Sequence, residues 1–168
     1  YSGTLDQENT NAHYLLDKEL NQHRIDIFGN VTGKGSGKLR RELLCLNANV
    51  RYRGYIANEA LREIRRYYAF SIVMWNQYFA APNKFFESIM DGVIPIAAPH
   101  PQCREIIKNY DCGILMRDWS QDAFREALRT AQRIYGTERY AEMMRNCRRA
   151  VRQELSWEKQ MTKLEQWI

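Results

Sequence analysis

The chain has 168 residues, 45% of them apolar, with 25 basic and 20 acidic side chains and a net charge of +5. That length and apolar share suit one domain with its own core, spanning 1–168. No apolar run approaches the ~20 residues of a membrane span, and no signal peptide opens the chain. Four scattered cysteines (Cys45, Cys103, Cys112, Cys147), with no CxxC pair, predict free thiols in a reducing compartment rather than a disulfide scaffold. The small basic excess reads first as a mixed solvated surface, and second as attraction to an anionic ligand or membrane. The start at Tyr1, without methionine, predicts an excised domain with a part missing upstream.

In chain order, Tyr1–Leu5 suits a short first strand, and Ala12, Leu15, Leu16 and Leu20 recur at helical spacing over Asn11–Gln22. Arg24–Gly29 alternates and stops at glycine, as a strand does. A glycine-rich stretch, Asn30–Lys38, reads as a flexible surface loop. A helix over Leu39–Leu46, a strand over Val50–Tyr55 and a helix capped by Asn58 and running to Tyr68 follow. Phe70–Trp75 has the composition of a buried strand.

The central stretch is Ala81–Ala98. Pro82 suits a first helical position, where its missing N–H costs nothing. Phe85, Phe86, Ile89 and Met90 form an apolar face, and Gly92 stands where a left-handed C-terminal cap belongs. Val93–Ala97 is then a near-continuous apolar run, the pattern of a parallel strand covered on both faces. Beyond it come a short helix over Gln102–Asn109, a strand over Gly113–Met116, a helix capped by Ser120 and ending near Tyr135, and a last helix over Glu138–Glu154. Strands alternating with helices predict an α/β fold, a Rossmann-like doubly wound parallel sheet flanked by helices.

In such a fold ligands bind beyond the C-terminal ends of the strands, and a helix N-terminus there attracts anions. Asn83 and Lys84 fall in the first turn of the central helix and Glu87 one turn further, a basic and an acidic group suited to a ligand carrying phosphate and hydroxyls. Other motifs are missing. A P-loop needs four residues between its glycine and Gly-Lys-Ser/Thr; only three stand between Gly29 and Gly33-Lys34, and Gly35 replaces the hydroxyl residue. No GxGxxG follows the first segment, and no GxSxG elbow occurs. His13, His23 and His100 stand apart, without the spacing of metal ligands, and read as surface or loop histidines. Arg145, Arg148, Arg149 and Arg152 form one stripe, read as a solvated face before an anionic-lipid or domain contact.

The order of the pieces is similar to a known family. Ala81-Pro82-Asn83-Lys84-Phe85-Phe86-Glu87 with Gly92-Val93-Ile94-Pro95-Ile96 resembles the donor-site segment of group 1 (family 4) retaining glycosyltransferases. Glu105-Ile106-Ile107, Asp111-Cys112-Gly113-Ile114-Leu115, the cap at Ser120 and Leu155-Ser156-Trp157-Glu158-Lys159 follow in that family's order. Upstream, Gly3-Thr4-Leu5, Ile27-Phe28-Gly29-Asn30 and Val50–Ile56 match its strand ends. The resemblance implies one half of a GT-B enzyme: the C-terminal domain that binds a nucleotide-diphosphate sugar, with the N-terminal acceptor domain absent from this chain. Glu87 would hold the donor ribose, the backbone at Asn83 and Lys84 the diphosphate, Thr4 the strand-end contact, and Tyr55 and Ile56 would border the base. Neither a metal nor another cofactor is implied, since helix dipole and basic groups take the diphosphate charge. The complete enzyme would transfer a hexose to a glycan or lipid-linked acceptor in surface polysaccharide synthesis, in the cytoplasm or at the inner face of the membrane, without a nucleic-acid partner. The isolated domain would be inactive.

Three positions depart from that pattern. Thr4 and Asn9 stand where the family carries an arginine and a lysine, and Phe79 where it carries a glutamate that contacts the transferred sugar. A divergent donor site, with Lys84 replacing part of the lost charge, is the first expectation. A fucosyltransferase-like GT-B domain and a non-catalytic nucleotide- or partner-binding domain are the alternatives. Sugar, nucleotide, acceptor, linkage, catalytic residue and oligomeric state are not legible in these residues.

Overall fold

The computed structural model describes residues 1–46, 48–79 and 82–165. Ala81, which opens the central stretch, lies outside the described residues. The architecture is α/β, with parallel strands flanked by helices, consistent with a Rossmann-like fold. Two sheets form. In one, β1 (Ile25–Phe28) pairs in parallel with β2 (Val50–Gly54), Ile25 opposite Val50. In the other, β4 (Ile94–Ala97) lies between β3 (Phe70–Val73) and the two-residue β5 (Ile114–Leu115), with Phe70 opposite Ile94 and Ile96 opposite Ile114.

A single doubly wound sheet was the sequence expectation, and the N-terminal segment explains the difference. Ser2 and Leu5 make isolated parallel bridges to Phe28 and Val31, so 1–5 lies along β1 without becoming a full strand. It approaches so closely that a Cβ on Gly29 would stand 1.7 Å from the Gly3 carbonyl oxygen, which only glycine permits. Its other side, together with β3, lines a cleft.

The helices are α1 (Ser36–Leu44), α2 (Asn58–Arg65), α3 (Asn83–Met90), α4 (Pro101–Tyr110), α5 (Gln121–Ile134), α6 (Glu138–Ala150) and α7 (Trp157–Glu165). The second half of the glycine-rich stretch, expected as loop, starts α1. The expected Asn11–Gln22 helix is instead two 3-10 turns, Ala12–Leu16 and Lys18–Gln22, broken at extended Asp17. The Asp17 carboxylate accepts hydrogen bonds from the Glu19 N–H at 3.0 Å, Gln121 at 2.8 Å and Arg125 at 2.6 Å, a local turn and a tie to α5 that outcompete a continuous helix. Asn58 is the first residue of α2 rather than its cap; Ala57 precedes it in extended conformation. Pro82 likewise sits just before α3. Ser120 caps α5 as expected, its Oγ accepting the Ala123 N–H at 3.1 Å. The helix expected over Glu138–Glu154 is α6, which leaves α geometry after Ala150 and widens into a π turn over Val151–Leu155 before α7.

The core lies around β4, buried at all four residues, with Phe85 and Ile89 of α3 and Phe124 of α5 packed in the same cluster. Met90, expected on that apolar face, is 60% exposed. Gly92 takes φ 74° at the end of α3, the left-handed cap its position called for. No helix among the described residues is long and apolar enough to cross a membrane.

Candidate functional site

The cleft at the seam of the two sheets has a volume of about 400 Å3. Its walls are the N-terminal segment through Thr4, the end of β3 with Met74, Trp75 and Gln77 beyond it, and the mouth of α3 at Pro82, Asn83 and Lys84. Parallel strands put their carboxyl ends together, so loops leaving β3 must pass this edge and α3 must start from it. The first turn of a helix concentrates partial positive charge on its N–H groups; in α3 the Phe85 N–H donates to the Pro82 carbonyl at 2.9 Å.

Lys84 extends that charge. Its ammonium lies 3.0 Å from Glu87, one turn along α3, and its carbonyl accepts the Ser88 hydroxyl at 2.6 Å. Glu87 in turn faces Arg65 of α2 at 2.7 Å, and the other guanidinium nitrogen of Arg65 reaches Asp91 at 2.7 Å. Arg65 is 7% exposed, and a buried arginine needs partners of this kind. Burial pushes the Glu87 carboxyl up, but hydrogen bonds and charge from Lys84 and Arg65 outweigh it and hold the group below the usual glutamate range. Glu87 is thus a hinge between a fixed buried cation and a cation at the cleft.

Of the residues the sequence singled out, Thr4, Asn83 and Lys84 line the cleft, and Glu87 stands one turn behind it through Lys84. Tyr55 and Ile56 follow β2 and do not line it; Tyr55 is 68% exposed. Trp75, Gln77 and Arg65 were missed. Their signal was position: the first two follow a buried strand at its carboxyl end, and Arg65 closes α2 opposite an acidic helix face.

His100 is the larger departure. Read as a surface or loop residue, it is fully buried at the end of β4, where Pro99 and Pro101 flank it and it precedes α4. Burial pushes its pKa below the ordinary histidine value, and the backbone of Tyr78 and then Gln77 pulls it partly back. The arginine stripe is tied to its own surroundings, Arg145 to Glu138 at 2.6 Å and Arg149 to the Tyr110 carbonyl at 3.3 Å.

A second cavity of about 420 Å3 is lined by Phe86, Met90, Ile106, Tyr110 and Leu155 together with Gln102, Glu105, Asn109, Glu154 and Gln160. It is lined by acidic and amide side chains as well as apolar ones and has no lining cation, whereas the first cleft joins apolar walls to Lys84 and a helix mouth. All four cysteines are free thiols, Cys45 exposed and the others buried. Burial raises the Cys103 thiol to about 12, where it stays protonated and unreactive. Among the described residues, no group of three or more His, Cys, Asp or Glu side chains is arranged to hold a metal ion. Comparison with known proteins returns no match, either to a protein-family model or to a curated protein.

Proposed function

We propose that this chain is the donor-binding half of a GT-B glycosyltransferase, and that its cleft holds the diphosphate of a nucleotide sugar. One observation carries the reading: the mouth of α3, with Asn83 and Lys84, opens into a cleft at the carboxyl ends of parallel strands. A diphosphate there meets the helix N–H groups and one ammonium, which stabilise the charge that grows as the sugar leaves. Glu87 has two duties in this scheme. In the free protein it holds Lys84 at the cleft, and with donor bound its carboxylate accepts from ribose hydroxyls, with Arg65 keeping it ionised. The complete enzyme then transfers a hexose to a glycan or lipid-linked acceptor at the membrane's inner face, the acceptor half coming from outside this chain.

A second reading has its own support. Phe79 stands where the resembling family places a sugar-contacting glutamate, and it is 90% exposed. A domain that binds nucleotide without turnover accommodates that loss.

Calorimetric titration with UDP, GDP, ADP and CMP tests the binding step shared by both. One diphosphate binds, and Glu87→Ala weakens it by about 1–3 kcal/mol, the range for a charged hydrogen bond. Silence from all four at millimolar concentration, in this chain and in one carrying the acceptor half, overturns the reading. Sugar transfer by the longer chain separates the enzyme from the binding domain.

A further inference from the structure

We propose that Arg65 is a positioning residue for the cleft: it shares one oxygen of Glu87 with Lys84 and so keeps that ammonium within reach of an anion. Both cations donate to the same atom, Glu87 Oε2, Arg65 Nη2 from 2.7 Å and Lys84 Nζ from 3.0 Å. The other end of the guanidinium is taken as well, Nη1 donating to Asp91 Oδ2 at 2.7 Å, and Arg62 backs Asp91 from 3.9 Å. Of these side chains only Lys84 lines the cleft.

Burial decides which cation can move. The Arg65 side chain is 8% exposed and that of Lys84 27%. A guanidinium bound at both ends in so dry a place stays there, because leaving either carboxylate would strand buried charge. Leu61 and Arg65 are the buried residues of α2, so the guanidinium reaches α3 from a fixed face. The Lys84 carbonyl accepts the Ser88 hydroxyl at 2.6 Å, which ties its backbone into α3 and leaves the side chain as the part that swings.

A carboxylate oxygen that serves two charged donors holds each less tightly than it would hold one alone. With Arg65 in place, Glu87 steadies Lys84 at the cleft without capturing it. Without Arg65, the charge of Glu87 falls on Lys84 three residues back, a spacing at which helix side chains are neighbours. The ammonium is then drawn along α3 toward Glu87, away from the helix mouth, and an arriving anion competes with a carboxylate for one lysine. Arg65 does not line the cleft, so it acts on the anion through Glu87.

The inference rests on the proposed function only in taking this cleft as an anion site, so its probe is inorganic pyrophosphate, which has no ribose to reach Glu87. Binding is followed by the amide shifts of Asn83 and Lys84. Arg65→Met removes the charge and keeps an aliphatic stem; it should weaken pyrophosphate by about threefold, the scale of a partly exposed ion pair. Glu87→Gln leaves Lys84 an acceptor without the charge and should tighten binding by about threefold. In the Glu87→Gln background, Arg65→Met should change nothing, because its route to the ligand is gone. The same loss in both backgrounds, as a general effect of Arg65 on fold or charge would give, overturns the proposal. So does unchanged affinity in Arg65→Met, or silence from pyrophosphate in every variant. If Arg65→Met does not fold, Glu87→Gln decides alone, and affinity equal to or weaker than wild type overturns it. Nucleotides that fail to bind while pyrophosphate follows this pattern remove the proposed donor and leave the inference standing. A nucleotide that binds while the pattern is missing does the reverse.

Discussion

In the three-stranded sheet, β4 buries Ile94, Pro95, Ile96 and Ala97 together, with Phe85, Ile89 and Phe124 in the same cluster. In the two-stranded sheet, the middle of β1 instead buries a carboxylate. Asp26 accepts from Arg53 at 2.8 Å, Arg51 at 3.1 Å and the Tyr68 hydroxyl at 2.9 Å. Burial pushes the Asp26 pKa up, yet those bonds and charges outweigh it and leave it below the usual aspartate value. One sheet is therefore held by dry packing that pH does not touch, and the other by a charged cluster that it does. The candidate cleft lies on the seam between them, where neither sort of contact fills the space.

Breaking the dry sheet should cost most. Phe85→Ala leaves a cavity under α3 and destabilises by about 3–5 kcal/mol in urea denaturation. Asp26→Ala should cost less, about 2–3 kcal/mol, because Arg51 and Arg53 are partly in water and regain hydration once freed. A larger loss for Asp26→Ala than for Phe85→Ala would reverse the comparison. The pH response sharpens it. A lowered folded pKa means that Asp26 contributes its full stabilisation above the unfolded value of about 3.9 and loses it as pH falls through the folded value. Acid unfolding profiles should therefore flatten in Asp26→Asn over that window and stay unchanged in shape in Phe85→Ala. Ser120→Ala, which removes one cap from α5, should cost about 1 kcal/mol in either case. Arg129→Ala, losing an exposed pair with Glu19 at 3.0 Å, should stay within about 0.5 kcal/mol.

The dry half was the more legible in sequence. Val93–Ala97 is apolar throughout because both faces are covered, Ser120 announces a helix start, and Gly92 a helix end. Misreadings gather where a side chain answers to something distant. Asp17 breaks a periodic helix because α5 supplies it with Arg125 and Gln121, which no local window contains. Asn58 looks like a cap but follows an extended alanine that starts the turn. His100 reads as a surface or loop residue; it lies in the connection between β4 and α4, as a loop residue does, yet it is fully buried there against Trp119. At the cleft, Asn83 and Lys84 stand at the helix mouth that the sequence pattern places after a strand. Tyr55 and Ile56 do not line the cleft, since the path of the β2–α2 connection is not encoded in its residue types.

The central claim is that the cleft, rather than the second cavity near α7, is where a diphosphate binds. Amide chemical-shift mapping during titration with UDP and GDP tests it directly. Perturbations should gather at Gly3, Thr4, Trp75, Gln77, Asn83 and Lys84, and Lys84→Ala should weaken binding by about tenfold, the loss of one charge-assisted contact. Shifts confined to Phe86, Met90, Ile106 and Tyr110, or affinity unchanged in Lys84→Ala, would contradict it.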